Sequence, residues 1–150
     1  MSSKLRFVLQ DYAYIKVDLV RGKDFWRLTS ASKTNILDDI GKDRGTLQVV
    51  TNISKLLKRL LAGEEKNTAL FDDLLKGLAI LEKAKTEAEL RNIEVILVLR
   101  ILNNLGYIGG EASLQSFITS PFEEDLVYEV AKNRKDILSE INKALRETQL

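Results

Sequence analysis

The spacing of apolar residues along the chain changes its period near residue 33. Apolar and polar side chains alternate over residues 11–20. One face collects Ala13, Ile15, Val17 and Leu19. Alternation of this kind, among β-branched and aromatic residues, predicts a half-buried strand. Residues 21–24 supply a Gly-containing turn and residues 25–29 a second strand, so we predict a β-hairpin, with residues 4–9 as a candidate third strand.

After residue 33 the apolar residues recur with a period of 3.6, which is typical of amphipathic helices. This pattern predicts helices over residues 44–62 and 68–83. Thr86 and Glu89 have the spacing of a capping box and predict a long helix that runs to about Leu105. Because that helix is apolar on nearly every side, we expect it at the centre of a bundle.

The C-terminal third adds a short segment near residues 114–118 and a helix start. Ser120, Pro121 and Glu123 have the order of N-cap, first-turn proline and third-position glutamate, which predicts a helix from this point. Asn133 either continues that helix or begins a last one. The chain is therefore predicted to be α+β and mostly α, with a small antiparallel β segment in residues 1–33 and a bundle of five or six helices in residues 34–150.

Composition limits the chemistry that this protein can perform. It contains no His and no Cys, which removes the commonest general base, thiol nucleophiles and the usual transition-metal ligands. Carboxylate pairs such as Asp72-Asp73 are expected to cap helices or lie on solvated faces. We predict a non-enzymatic protein without cofactor or metal, and keep a Mg²⁺- or Mn²⁺-dependent carboxylate enzyme as a remote alternative. Without an apolar leader or a span of about 20 apolar residues, we expect no membrane partner and a cytoplasmic location.

Charge is distributed unevenly along the chain. Residues 1–33 contain seven basic and three acidic side chains, a net of +4, whereas the whole chain has a formal charge of +1. Aromatic residues lie between these cations, and single-stranded nucleic acid is bound by cations that neutralise phosphates together with rings that stack on bases. The competing hypothesis is that the rings bury the sheet against the helices while Lys and Arg solvate its outside.

Several segments, in their order along the chain, resemble one known family. In the β segment these are residues 3–6 and 19–29, the latter containing Arg21-Gly22-Lys23-Asp24-Phe25-Trp26-Arg27. In the helices they are residues 56–64, 67–78 and 100–107, the last ending in Leu105-Gly106-Tyr107. Over most of residues 3–110 the chain resembles the RecO family of DNA recombination mediators.

The resemblance implies a fold, partners and site residues. Residues 1–33 would be the last strands of a five-stranded OB barrel, and residues 34–150 the RecO-like helical domain. The implied partners are single- and double-stranded DNA, single-stranded DNA-binding protein and RecR, and the implied activities are strand annealing and RecA loading. The residues expected to contact DNA are Lys4, Arg6, Arg21, Lys23, Arg27 and Trp26, with Phe25 as an alternative stacking residue.

Two further expectations follow from the resemblance. Lys58 and Arg59 are expected on the rim of an apolar groove that binds the acidic tail of single-stranded DNA-binding protein. The Cys-based zinc site of many family members is not expected, because residues 108–111 contain no Cys. The alternative function is a helical protein-interaction module that has lost DNA binding along with most of its barrel.

Overall fold

The computed structural model describes residues 8, 11–34, 36–61, 63, 66–109 and 111–147. Its first regular elements are two antiparallel strands, β1 (Ile15–Arg21) and β2 (Trp26–Lys33), which form a two-stranded sheet. Asp18 pairs with Ser30 and Leu19 with Leu28, so Thr29 is an extra residue that makes a bulge in β2. The predicted third strand falls on residues 4–9, of which only Val8 is described; Val8 is helical, so that prediction is wrong there.

Five helices follow within the described residues. They are α1 (Arg44–Leu60), α2 (Thr68–Leu81), α3 (Glu87–Asn104), α4 (Gln115–Thr119) and α5 (Glu124–Glu147). Each of the other four helices packs on α3, where Ile96, Leu99 and Leu102 are fully buried. The mostly helical α+β class and the central position of the long apolar helix are confirmed.

The ends of the helices follow from local side-chain chemistry. Asp43 precedes α1 and accepts hydrogen bonds from the Thr46 N–H at 2.8 Å and the Thr46 hydroxyl at 3.2 Å. Because these bonds stabilise the ionised carboxylate, the pKa of Asp43 lies below its ordinary value of 3.8. The capping box of Thr86 and Glu89 is present at the start of α3 and confirms the prediction from their spacing.

The predicted helix start at Ser120 is wrong. Helix α5 begins at Glu124, and the Glu123 carbonyl accepts the bond from the Val127 N–H at 3.4 Å. Ser120 instead ends α4, and its carbonyl accepts a hydrogen bond from the Arg100 guanidinium. A buried arginine on α3 therefore holds this segment in an extended conformation that a local capping pattern does not reveal. Asn133 does not interrupt α5, since the helix is continuous across it.

The hairpin is fixed to the helices at its base. The Tyr14 ring packs on the core and lies 6.4 Å from the Phe71 ring, centroid to centroid. The Tyr12 hydroxyl accepts a hydrogen bond from the Thr51 hydroxyl at 3.1 Å, and the Thr34 hydroxyl donates to the Tyr14 carbonyl at 2.6 Å. These contacts lie at the open end of the hairpin, so its tip extends away from them. Among the described helices, none has the length and apolar character that crossing a membrane requires.

Candidate nucleic-acid interface

The hairpin tip, residues 21–27, closes through a tight turn at Gly22. The Gly22 N–H donates to the Phe25 carbonyl at 2.9 Å. A Cβ at position 22 would lie 2.9 Å from that same oxygen, so a larger residue would force the turn open. The turn places Lys23 and Asp24 at the end of the hairpin, exposed to solvent.

Two arginines lie over the two aromatic rings of the tip. Arg21 and Trp26 are directly opposite each other in the ladder, and the guanidinium carbon is 5.6 Å from the Trp26 ring centroid. The Arg27 guanidinium lies 5.5 Å from the Phe25 ring. Both distances are within the range of cation–π attraction.

These rings are not buried by the helices. Phe25 is 63% exposed and Trp26 46% exposed. The hypothesis that the strand aromatics bury the sheet against the bundle is therefore wrong for Phe25 and Trp26. It is correct for Tyr14, which is half-buried against the core. Exposed rings backed by cations are the arrangement to which unstacked bases bind.

The basic side chains of the tip are not tied up in ion pairs, and with Asp24 as its one carboxylate the tip keeps a formal charge of +2. Within the described part of the chain, Arg21, Lys23 and Arg27 form no ion pair, whereas Lys33 pairs with Asp38 at 3.2 Å. The Asp18 carboxylate accepts a hydrogen bond from the Ser30 hydroxyl. Lys4 and Arg6, which were also expected to contact DNA, lie outside the described residues.

The strand register distributes the basic residues over both faces of the hairpin. Arg21 and Trp26 share a face, and Arg27 lies opposite Val20 on the other. The cations therefore surround the tip and do not form one flat positive surface. This arrangement suits a strand that crosses the end of the hairpin, where Lys23 also lies.

A second feature is a cleft of about 370 Å³ where the end of α2 meets the starts of α3 and α5. Its apolar wall is formed by Ile80, Ala84, Ala88, Ile93, Val127 and Tyr128. Lys83 and Lys85 lie on its rim together with Glu89 and Glu124. The Glu89 carboxylate already accepts hydrogen bonds from the Thr86 N–H at 3.2 Å, within the capping box, and from the Lys85 N–H at 2.7 Å.

The basic rim expected from the sequence lies elsewhere. Lys58 and Arg59 are exposed in the last turn of α1, where their charge opposes the helix dipole, and they do not line this cleft. The run Lys83-Ala84-Lys85, directly before the capping box, was the available signal for a basic rim. Val127 and Tyr128, which form the apolar wall on α5, are brought next to this run only by the fold.

Some of the described carboxylates are engaged within the fold. Asp73 pairs with Arg100 at 3.2 Å, and Asp38 pairs with Lys33. In the part of the chain that the structure describes, no three His, Cys, Asp or Glu side chains are grouped so that they could hold a metal ion.

One comparison with known proteins finds a match for part of the helical body. No curated protein and no solved structure is significantly similar to the chain. Residues 41–108 match the family model for the recombination protein O C terminal. The matched segment spans α1, α2 and α3 with the Leu-Gly-Tyr step that follows them. The match, which covers a little under half of the chain, supports a relationship to the RecO family, whose proteins take part in DNA recombination and repair.

Proposed function

We propose that this protein is a non-enzymatic recombination mediator that binds DNA through the tip of its hairpin. The observation that carries the proposal is the set of exposed cations, Arg21, Lys23 and Arg27, placed beside two exposed rings without carboxylate partners. Phosphate neutralisation supplies affinity for any sequence, and ring stacking favours single strands whose bases are accessible. Lys4 and Arg6 are proposed as further phosphate contacts.

This mode of binding suits strand annealing. Cations that hold the phosphates leave the Watson–Crick edges of most bases available to a complementary strand, and Trp26 or Phe25 would hold one base by its face only. Double-stranded DNA would bind through its phosphates at the same cations. The partners RecR and RecA, and the cytoplasmic location, are proposed from the family alone.

A salt titration tests the DNA role. The dissociation constant of the full-length protein for a single-stranded oligonucleotide is measured by fluorescence anisotropy at a series of salt concentrations. Binding that weakens steeply and linearly on logarithmic axes is expected, because each neutralised phosphate releases counterions. Absence of binding at low salt would contradict the proposal.

We further propose that the helical body binds the acidic tail of single-stranded DNA-binding protein. The apolar wall of the cleft fits the apolar side chains of such a peptide, and Lys83 and Lys85, which share the rim with Glu89 and Glu124, would bind its carboxylates. Lys58 and Arg59, the rim expected from the sequence, lie on α1 and form a separate candidate surface.

Charge reversal separates these two surfaces. A fluorescent acidic tail peptide is titrated with the variants Lys83→Glu/Lys85→Glu and Lys58→Glu/Arg59→Glu. Loss of binding in the first and retention in the second is expected if the cleft is the site. The reverse result would move the site to α1.

The alternative function, a helical interaction module without DNA binding, has one observation in its favour. The family match covers residues 41–108 and leaves the hairpin outside. In that case the tail peptide would bind while the oligonucleotide did not, so the two titrations together decide between the functions.

A further inference from the structure

Strand β1 has an outer edge that no other described strand covers. Val17 is 39% exposed and Leu19 51% exposed, and they share one face of the hairpin with Ile15. A two-stranded sheet alone is marginally stable in water, and an open edge is a template for pairing with another chain. The apolar face and the open edge together indicate that β1 has a binding partner.

The ladder shows which backbone groups face outwards. The hydrogen bond from the Gly22 N–H to the Phe25 carbonyl makes Gly22 a bonded position, and bonded positions alternate along an antiparallel strand. Bonded positions therefore recur at every second residue of β1, counted back from Gly22. Ile15, Val17 and Leu19 lie between them, so their N–H and C=O groups point to the outer edge. The bulge at Thr29 interrupts β2, so β1 is the more regular edge for pairing.

We propose that β1 pairs with β1 of a second copy of this chain, antiparallel and with its two-fold axis at Val17. In that register Ile15 faces the partner's Leu19, and Val17 faces the partner's Val17. All three residues have backbone groups that point to the outer edge. Lys16 faces the partner's Asp18, which gives two symmetric ion pairs. This pairing does not depend on the proposed DNA binding.

Charge complementarity selects this register. An axis at Ile15 would place Lys16 opposite the partner's Tyr14. An axis at Leu19 would place Lys16 opposite the partner's Gly22. Neither of these registers brings a positive side chain opposite a negative one. Within the described residues Lys16 forms no ion pair. Asp18 uses Oδ2 to accept from Ser30, which leaves Oδ1 for the lysine.

The symmetric arrangement is closed. Each copy uses the same edge, so pairing ends at two chains and produces a four-stranded antiparallel sheet with a continuous apolar face. The two hairpin tips would lie at opposite ends of the new central pair. Pairing through β2 would instead bring the bulge into the interface.

Sedimentation equilibrium of the full chain over a wide range of concentration tests the proposal. The parent protein is expected to approach twice its monomer mass, Lys16→Asp and Asp18→Lys to remain monomeric, and the double variant Lys16→Asp/Asp18→Lys to recover the dimer. Circular dichroism of each variant confirms that its helices are intact. A parent that stays monomeric throughout, or a dimer that neither single variant weakens, would overturn the proposal.

Cysteine cross-linking tests the register directly, since the chain has no cysteine of its own. Val17→Cys is expected to form a disulfide-linked dimer when diamide oxidises the two thiols. The matched control is Ser32→Cys on β2, which is exposed and lies away from the proposed axis. Equal cross-linking of the two variants would contradict the pairing through β1.

Discussion

The Arg100 guanidinium of α3 lies 3.2 Å from the Asp73 carboxylate of α2, and the arginine side chain is only 4% exposed. Arg100 also donates to the Phe117 carbonyl at 3.2 Å and to the Ser120 carbonyl. Its guanidinium lies 5.0 Å from the Phe122 ring. One side chain therefore joins α2 and α3 to the segment that contains α4.

Removing the carboxylate is expected to destabilise the fold strongly. Burial lowers the pKa of Arg100 and the charge of Asp73 opposes that effect, so the ion pair keeps a buried cation compensated. Breaking a buried ion pair by deleting one partner costs about 3–5 kcal/mol of stability. The cost of Asp73→Asn should lie near the lower value, because the Asp73 side chain is partly exposed. Urea denaturation measures the change in the free energy of unfolding.

The matched control is the exposed pair of Arg91 and Glu87, at 2.7 Å on α3. Glu87→Gln also neutralises a carboxylate next to an arginine, but water solvates both groups, so the expected cost is about 0.5 kcal/mol or less. If the two variants lost similar amounts of stability, the central role of Arg100 would be refuted.

A second prediction concerns the pH dependence of α1. Because the Thr46 hydrogen bonds lower the pKa of Asp43 in the folded state, its carboxylate stabilises the fold at pH values above the unfolded pKa. This stabilisation is lost as the pH falls below 3.8 and through the folded pKa. Asp43→Ala should therefore be less stable than the parent near neutral pH, and the difference should shrink in acid.

Asp43→Asn is the control for this effect. Asparagine caps a helix but does not titrate. The Asp43→Asn protein should therefore keep the stability that the cap provides and lack the component that is lost in acid. Urea denaturation of the three proteins at neutral and acidic pH supplies the comparison. A difference between parent and Asp43→Ala that did not change with pH would contradict the assignment.

Sequence periodicity predicts most of the helical body because the deciding interactions are local or repeat along the chain. The capping box at Thr86 and the apolar surface of α3 are of this kind. The end of α4 could not be predicted, since Ser120 is fixed by Arg100 twenty residues away. For the candidate site, alternation predicts the hairpin and its cations, but exposure of Trp26 depends on where the helices pack, which no local pattern specifies.

A third prediction tests how closely α2 and α3 approach. Gly77 is buried on α2, and a Cβ there would overlap the Leu97 side chain and lie 2.8 Å from the Phe122 ring. Alanine favours helix by up to about 1 kcal/mol over glycine, but overpacking a core costs about 1–3 kcal/mol. Because Leu97 is itself buried and cannot move freely, Gly77→Ala should be net destabilised in urea denaturation.

Gly41→Ala is the control for that substitution. A Cβ at Gly41 meets nothing within 4 Å, and the residue lies in an exposed turn before α1. Its stability should stay within about 0.5 kcal/mol of the parent. If Gly77→Ala were equally neutral, the helices would have more room than the structure gives them.

The last prediction separates charge from stacking at the hairpin tip. Neutralising Arg21, Lys23 and Arg27 to alanine removes three phosphate contacts, so the salt dependence of single-strand binding should lose a slope of about 2 on logarithmic axes. Trp26→Ala instead removes a stacking surface, which should weaken binding by about 1–3 kcal/mol while leaving the slope unchanged. Fluorescence anisotropy titrations over a salt series measure both quantities.

The control removes the same number of charges from the far end of the chain. Lys132, Lys135 and Arg146 are exposed on α5, and their replacement by alanine changes the net charge equally. If only overall charge attracted DNA, this variant would lose as much affinity as the tip variant. If cations and rings act together at one end of the hairpin, the triple substitution at the tip should lose affinity and the control on α5 should not. Trp26→Ala should in addition weaken binding at every salt concentration.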